Sequence, residues 1–141
     1  MSDRSAGHDS PAIHLLIVEK HSSIRAGLCA LIEAWGWRDI MVETADGFAG
    51  ASQSLAAQWP SLVLLDMELP DNASSSLLQR IKAHQPSTPV IAWMLYSTNR
   101  IAALEAGADI CLDKGAPAWA LKQAIIDLVL TEALSAETEE C

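Results

Sequence analysis

Short apolar runs alternate with segments of helical periodicity along most of this chain, and that alternation constrains the fold more than any other feature. Ile13–Val18 (IHLLIV) is apolar at nearly every position and too brief for a helix. Such a run suits a strand buried on both faces. Ile40–Thr44, Leu62–Leu65, Pro89–Met94 and Ile110–Leu112 repeat the pattern. After the first run, Ser22 or Ser23 can cap a helix whose Ile24, Leu28, Leu31, Ile32 and Trp35 share one face, with Gly36 as its stop. A second helix is expected from about Phe48 to Gln58, and a third is centred on Leu77, Leu78 and Ile81. Ser97 or Thr98 can cap a short fourth that runs to Ala106 and that Gly107 stops. Pro117 suits a first helical position, with Leu121, Ala124, Ile125 and Leu128 as the inward stripe of a fifth.

Buried strands alternating with amphipathic helices imply an α/β fold with a parallel sheet covered on both sides. Right-handed crossovers make it an open, doubly wound, five-stranded sheet of (βα)5 flavodoxin-like type, with 2-1-3-4-5 as the expected strand order. The expected layout is a flexible tail over residues 1–12, one domain over 13–131, and an acidic tail over 132–141. The chain has 141 residues, room for one domain.

Charge narrows the function. The formal net charge is −9, which leaves no basic face for a phosphate backbone, so direct nucleic-acid binding is not expected. Every apolar run falls short of the roughly 18–20 residues of a spanning helix, and the N-terminal residues lack a secretory apolar stretch. Cys29, Cys111 and Cys141 have no metal-ligand spacing. A cytoplasmic protein without membrane contact is the expectation.

In doubly wound sheets, functional groups collect beyond the carboxyl ends of the strands. Those ends carry Glu19 and Lys20, Asp66, Met94 to Ser97, and Lys114. Two carboxylates and two ammonium groups should therefore share one crevice. His21 reads as an exposed loop histidine. Glu68 is expected to be solvated or paired with Lys20. Trp35 and Trp93 fall on core-facing positions, whereas Trp37, Trp59 and Trp119 are less clearly buried.

The segments IHLLIVEKHSSIRAGL, SLVLLDMELP, TPV and EAGADICLDKGAP resemble the receiver domain of bacterial two-component response regulators, over about residues 12–131. Pro70, four residues after Asp66, and the Gly107-Ala108…Lys114 spacing carry much of the likeness. Ala45-Asp46-Gly47 leans toward receivers that precede a helix-turn-helix output domain; no stretch of this sequence reads as one. The resemblance implies that Asp66 stands at the phosphoacceptor position and Lys114 at that of the lysine contacting the phosphoryl group. It also implies that Glu19-Lys20 replaces the acidic pair that helps hold Mg²⁺, and that residue 68 offers that site only its backbone carbonyl. Met94 falls at the Thr/Ser position, with Ser97 or Thr98 as possible substitutes. Cys111 replaces the aromatic switch, and Ser74 a loop glycine.

An ammonium group cannot ligate Mg²⁺ and repels it. At about 4 Å and an effective dielectric near 20, one unit charge is worth about 4 kcal/mol, so replacing attraction by repulsion is a large change. Mg²⁺ binding is therefore expected to be weak or absent, with Glu19 and Asp66 as the only ligands if any metal enters. Lys20 is expected to pair with Asp66 instead. The resulting expectation is a non-enzymatic, atypical (pseudo-receiver) module that works by protein–protein contact, with phosphorylation lost or impaired. Its surface would be residues 99–131, including Arg100, Asp109, Asp113 and Trp119, and its partner a second copy, another protein or a sensor histidine kinase. The alternatives are a receiver still phosphorylated on Asp66 that controls a transcription output domain, and a small flavin-binding or hydrolytic enzyme on the same fold.

Overall fold

The computed structural model describes residues 13–130. The tails expected over 1–12 and 132–141, and Cys141, lie outside the described residues. The chain runs β1 (Ile13–Val18), α1 (Ser22–Ala34), β2 (Ile40–Ala45), α2 (Phe48–Ala57), β3 (Leu62–Asp66), α3 (Ala73–His84) and β4 (Val90–Met94). A 3₁₀ turn (Ser97–Asn99) leads into α4 (Arg100–Glu105), then β5 (Ile110–Asp113) and α5 (Ala118–Ile125), which continues as a π-helical turn over Ile126–Leu130.

All strand pairs are parallel, in the order β2-β1-β3-β4-β5. The three inner strands are buried at every residue, as their nearly continuous apolar character requires, with His14 and Asp66 as buried polar exceptions, while β2 and β5 on the edges are partly exposed.

The two-residue period of a strand divides the core in two. Leu16 and Val18 of β1, Val63 and Leu65 of β3, and Ala92 and Met94 of β4 join Leu55, Leu77, Leu78, Ile81 and Ala103 in one cluster, under α2, α3 and α4. Ile13, Leu15, Ile17, Leu62, Leu64, Ile91 and Trp93 join Leu28, Ile32, Leu121 and Ile125 in the other, under α1 and α5. Continuing the parity past the strand ends puts Glu19, Asp66 and Lys114 on the α1/α5 side. Met94 and Cys111 belong to the opposite cluster.

Three helix starts differ from expectation: α4 has Asn99 as its N-cap residue, with Ser97 and Thr98 in the 3₁₀ turn before it. His21, not Ser22 or Ser23, is the N-cap residue of α1, and no side chain caps that helix. The His21 backbone is extended (φ −89°, ψ 119°) because its N–H and ring are both drawn to Glu19. Pro117 sits one residue before α5, where its fixed φ fits extended backbone (φ −65°, ψ 154°).

Of the tryptophans, Trp93 is buried, and Trp35, Trp37 and Trp59 are partly buried against the two clusters. Trp59 donates its indole N–H to Thr88 Oγ1 at 2.8 Å. Trp119 is 70% exposed, so it contributes surface and not core.

Candidate functional site

Lys114 is the centre of the crevice. Its ammonium lies 3.0 Å from Asp66 Oδ1, 3.1 Å from Glu19 Oε1 and 3.3 Å from Glu68 Oε1. The Glu19 and Asp66 side chains are fully buried, and only 9% of the Lys114 side chain is exposed. Strand ends position these groups: Asp66 closes β3, Glu19 follows β1 directly, and Lys114 follows β5, with its N–H bonded to the Met94 carbonyl at 2.7 Å.

Each carboxylate oxygen already has donors. Glu19 Oε1 accepts from Trp93 Nε1 at 3.1 Å as well as from Lys114. Glu19 Oε2 accepts from the His21 backbone N–H at 3.0 Å and from ring Nδ1 at 2.9 Å, which fixes the ring proton on Nδ1 facing an ionised carboxylate. Asp66 Oδ1 also accepts from the Glu68 N–H at 2.8 Å, and the Lys20 N–H points at Oδ2 from 3.4 Å. Ser74 Oγ donates to the Asp66 carbonyl at 2.6 Å and accepts from the Leu69 N–H at 3.1 Å, tying the loop after β3 to the start of α3.

Burial alone would raise the Glu19 carboxyl, but its bonds from His21 and Lys114 outweigh that and hold it below the ordinary carboxylate range. Burial alone would likewise lower Lys114, yet Asp66 and Glu19 raise it above an ordinary lysine. Both groups therefore stay charged across the neutral range.

Lys20 does not pair with Asp66. Its ammonium donates to the carbonyl oxygen of Glu68 at 3.1 Å, and only its backbone N–H faces Asp66. The cause is register: Glu19 takes the α1/α5 side of the sheet, so the next side chain turns to the other side, over the β3–α3 loop. That carbonyl is the one the receiver resemblance gives to Mg²⁺. The carboxylate oxygens hold N–H donors and the carbonyl holds an ammonium, so this set as arranged does not fit a divalent cation, which needs free oxygen ligands.

Sequence reasoning missed two residues here. Glu68 is neither solvated nor bound through its carboxylate to Lys20. Its carboxylate bonds to the Leu95 and Tyr96 N–H groups and to Asn99 Nδ2, besides facing Lys114. Three carboxylates thus share the Lys114 ammonium while the Lys20 ammonium sits on a carbonyl, where two carboxylates against two ammonium groups were expected. Trp93 is the second, and strand parity with Asp66 was the signal that would have found it. His21 is correspondingly a partner of Glu19 more than a free loop histidine.

The remaining positions stand apart from the carboxylates. Met94 is buried in the α2–α4 cluster. Ser97 and Thr98 are exposed in the 3₁₀ turn and make no bond to the carboxylates, so neither supplies a hydroxyl there. Cys111 is half-buried against the same cluster as Met94, and burial pushes its thiol up. Ser74 is the second residue of α3 and not part of an open loop.

Within the 99–131 face, Arg100, Asp113 and Trp119 are exposed, and Thr131 lies outside the described residues. Asp109 is exposed as well, and one of its carboxylate oxygens, Oδ2, accepts from Lys82 Nζ at 2.8 Å and from the Val90 N–H at 2.8 Å. No helix among the described residues is long and apolar enough to cross a membrane.

Comparison with known proteins agrees with this architecture. BasR, a transcriptional regulatory protein of Escherichia coli K12, is 36% identical over 102 residues, covering 71% of this chain and 45% of its own length. A protein-glutamate methylesterase/protein-glutamine glutaminase of Cereibacter sphaeroides is 27% identical over 134 residues, covering 92% of this chain and 36% of its own. The chain thus spans between a third and a half of these relatives. The crystal structure of a putative response regulator from Chloroflexus aurantiacus superposes with a TM-score of 0.76 at 22% identity, over 86% of this chain and 99% of that one. The response regulator receiver domain family matches residues 15–126, strands and crevice together, and the chain belongs to that family.

Proposed function

We propose that this chain is an atypical receiver that signals through protein contact, with metal-dependent phosphorylation of Asp66 lost or strongly impaired. The observation that carries this reading is the Lys20 ammonium on the Glu68 carbonyl, 3.1 Å away. A positive charge already sits where a divalent cation would need an oxygen ligand. Without a metal, phosphoryl transfer lacks its main means of neutralising charge on the equatorial oxygens. The relay behind the site is altered as well, because Met94 offers no hydroxyl and Cys111 no ring.

The contact surface in this reading is the 99–131 face. Ile101 is 69% exposed and Trp119 70% exposed, large apolar side chains that a monomer gains nothing by leaving in water. A second copy, an output protein or a sensor histidine kinase are the partner classes such a face suits.

One observation favours a second reading, in which Asp66 is still phosphorylated and the chain serves a transcription regulator. Lys114 holds Asp66 at 3.0 Å, the pairing that phosphoryl contact requires. Labelling with a small acyl-phosphate donor, with and without Mg²⁺, separates the two. Wild type and Asp66→Asn should be equally unlabelled. Rapid Mg²⁺-dependent labelling that disappears in Asp66→Asn would establish the second reading.

A further inference from the structure

Of the three acids in the crevice, Glu68 is the one whose carboxylate binds the segment after β4. Its carboxylate accepts from the Leu95 N–H at 3.0 Å to each oxygen, from the Tyr96 N–H at 3.3 Å and from Asn99 Nδ2 at 2.9 Å. The Lys114 ammonium completes the set at 3.3 Å. Leu95 and Tyr96 leave their own side chains 56% and 59% exposed, so this segment turns its backbone donors inward. Successive N–H groups beside an ammonium recognise any compact oxyanion, carboxylate or phosphate alike.

The carboxylate is also delivered from behind. The Glu68 N–H is fixed on Asp66 Oδ1 at 2.8 Å and the Glu68 carbonyl is held by Lys20. Both ends of the residue are anchored, which makes binding of its side chain intramolecular and favours it over an anion from solution.

We propose that the Leu95 and Tyr96 amides, Asn99 Nδ2 and Lys114 Nζ form an oxyanion site whose resident ligand is the chain's own Glu68 carboxylate. The segment after β4 is thereby kept in its anion-engaged arrangement with no anion supplied from outside. Removing the carboxylate frees the same donors for a small tetrahedral oxyanion of the phosphate class. The assignment rests on the reading above only in placing the site beside Asp66. Its test reads backbone amides and not labelling of Asp66, so either can fail alone.

The test follows the Leu95 and Tyr96 amides by NMR in the full chain, for wild type, Glu68→Gln and Glu68→Ala, with thermal melting as the check on folding. In Glu68→Ala, exchange at both amides should quicken about tenfold or more, as expected when a charged acceptor is lost. Glu68→Gln, which keeps an acceptor without the charge, should lie between. Inorganic phosphate should then shift both resonances saturably in Glu68→Ala and slow their exchange. Adding Lys114→Met should abolish the response, and wild type should give none at the same concentrations. Unchanged exchange in both variants overturns the proposal. So does faster exchange with no saturable phosphate shift, which would leave Glu68 a structural tie only, or a wild-type response equal to that of Glu68→Ala.

Discussion

The Lys20 ammonium bonds to the Glu68 carbonyl at 3.1 Å and reaches no carboxylate among the described residues. It brings positive charge to the crevice without neutralising a buried acid by direct contact. Lys20→Asp should therefore convert the crevice from a poor Mg²⁺ site to a measurable one. The substitution frees the Glu68 carbonyl and replaces the ammonium over it with a carboxylate. Even after solvent screening, the gain in Mg²⁺ affinity should be at least about tenfold. Isothermal titration of both proteins checks it, and equal affinities would remove the charge argument.

The pH dependence of stability follows from Glu19 and Lys114. The Glu19 carboxyl lies below its ordinary value of 4.5, so its contribution is complete above that value and is lost as pH falls through the lower, folded one. Lys114 lies above its ordinary 10.5, so its contribution is complete below 10.5 and is lost as pH rises through the higher, folded value. Stability from this pair should be flat between about pH 5 and 10, falling on either side. Lys114→Met removes the alkaline fall and, by taking away part of what lowers the Glu19 carboxyl, shrinks the acid one, as chemical denaturation across pH should show.

Ser74 is buried and joins two backbone groups through one hydroxyl. Ser74→Ala leaves the Leu69 N–H without its acceptor and the Asp66 carbonyl without its donor. A buried unsatisfied group costs about 1–3 kcal/mol, so the unfolding free energy from denaturant melts should fall by that amount. Ser74→Gly removes the same hydroxyl and should do no better.

Gly107 ends α4 with φ at +114°, a conformation that side chains rarely adopt. The Ala108 N–H bonds back to the Ala103 carbonyl and the Gly107 N–H to the Leu104 carbonyl, the pattern of a glycine-terminated helix. An added Cβ would also meet Lys82 Cγ at 3.0 Å. Gly107→Ala should cost about 1–3 kcal/mol in thermal or chemical melts. An unchanged midpoint would show that this turn relaxes freely.

Local pattern was enough to specify the framework. Runs such as Leu62–Leu65 cannot be satisfied on a sheet that faces water, and the helical stripes between them must lie against such strands. Parallel pairing, two core layers and a crevice at the carboxyl ends of the strands follow from that need alone. The placing of Glu19, Asp66 and Lys114 together follows too, because each stands at or just past a strand end on the same parity.

The tertiary structure decided how the charges in the crevice are spent. Sequence put Lys20 beside Asp66, but a one-residue step across the sheet sends its side chain to the other face, onto a carbonyl. Glu68 looked like a solvated acid two residues past the strand; the turn after β3 folds it back toward amides that come from the end of β4, 27 residues on. Hydrophobic periodicity records which face of an element is buried, and so the chain alone determined the sheet and its layers. Hydrogen-bond partners of a polar side chain depend on distances between loops that no local pattern encodes, and those only the folded molecule could set.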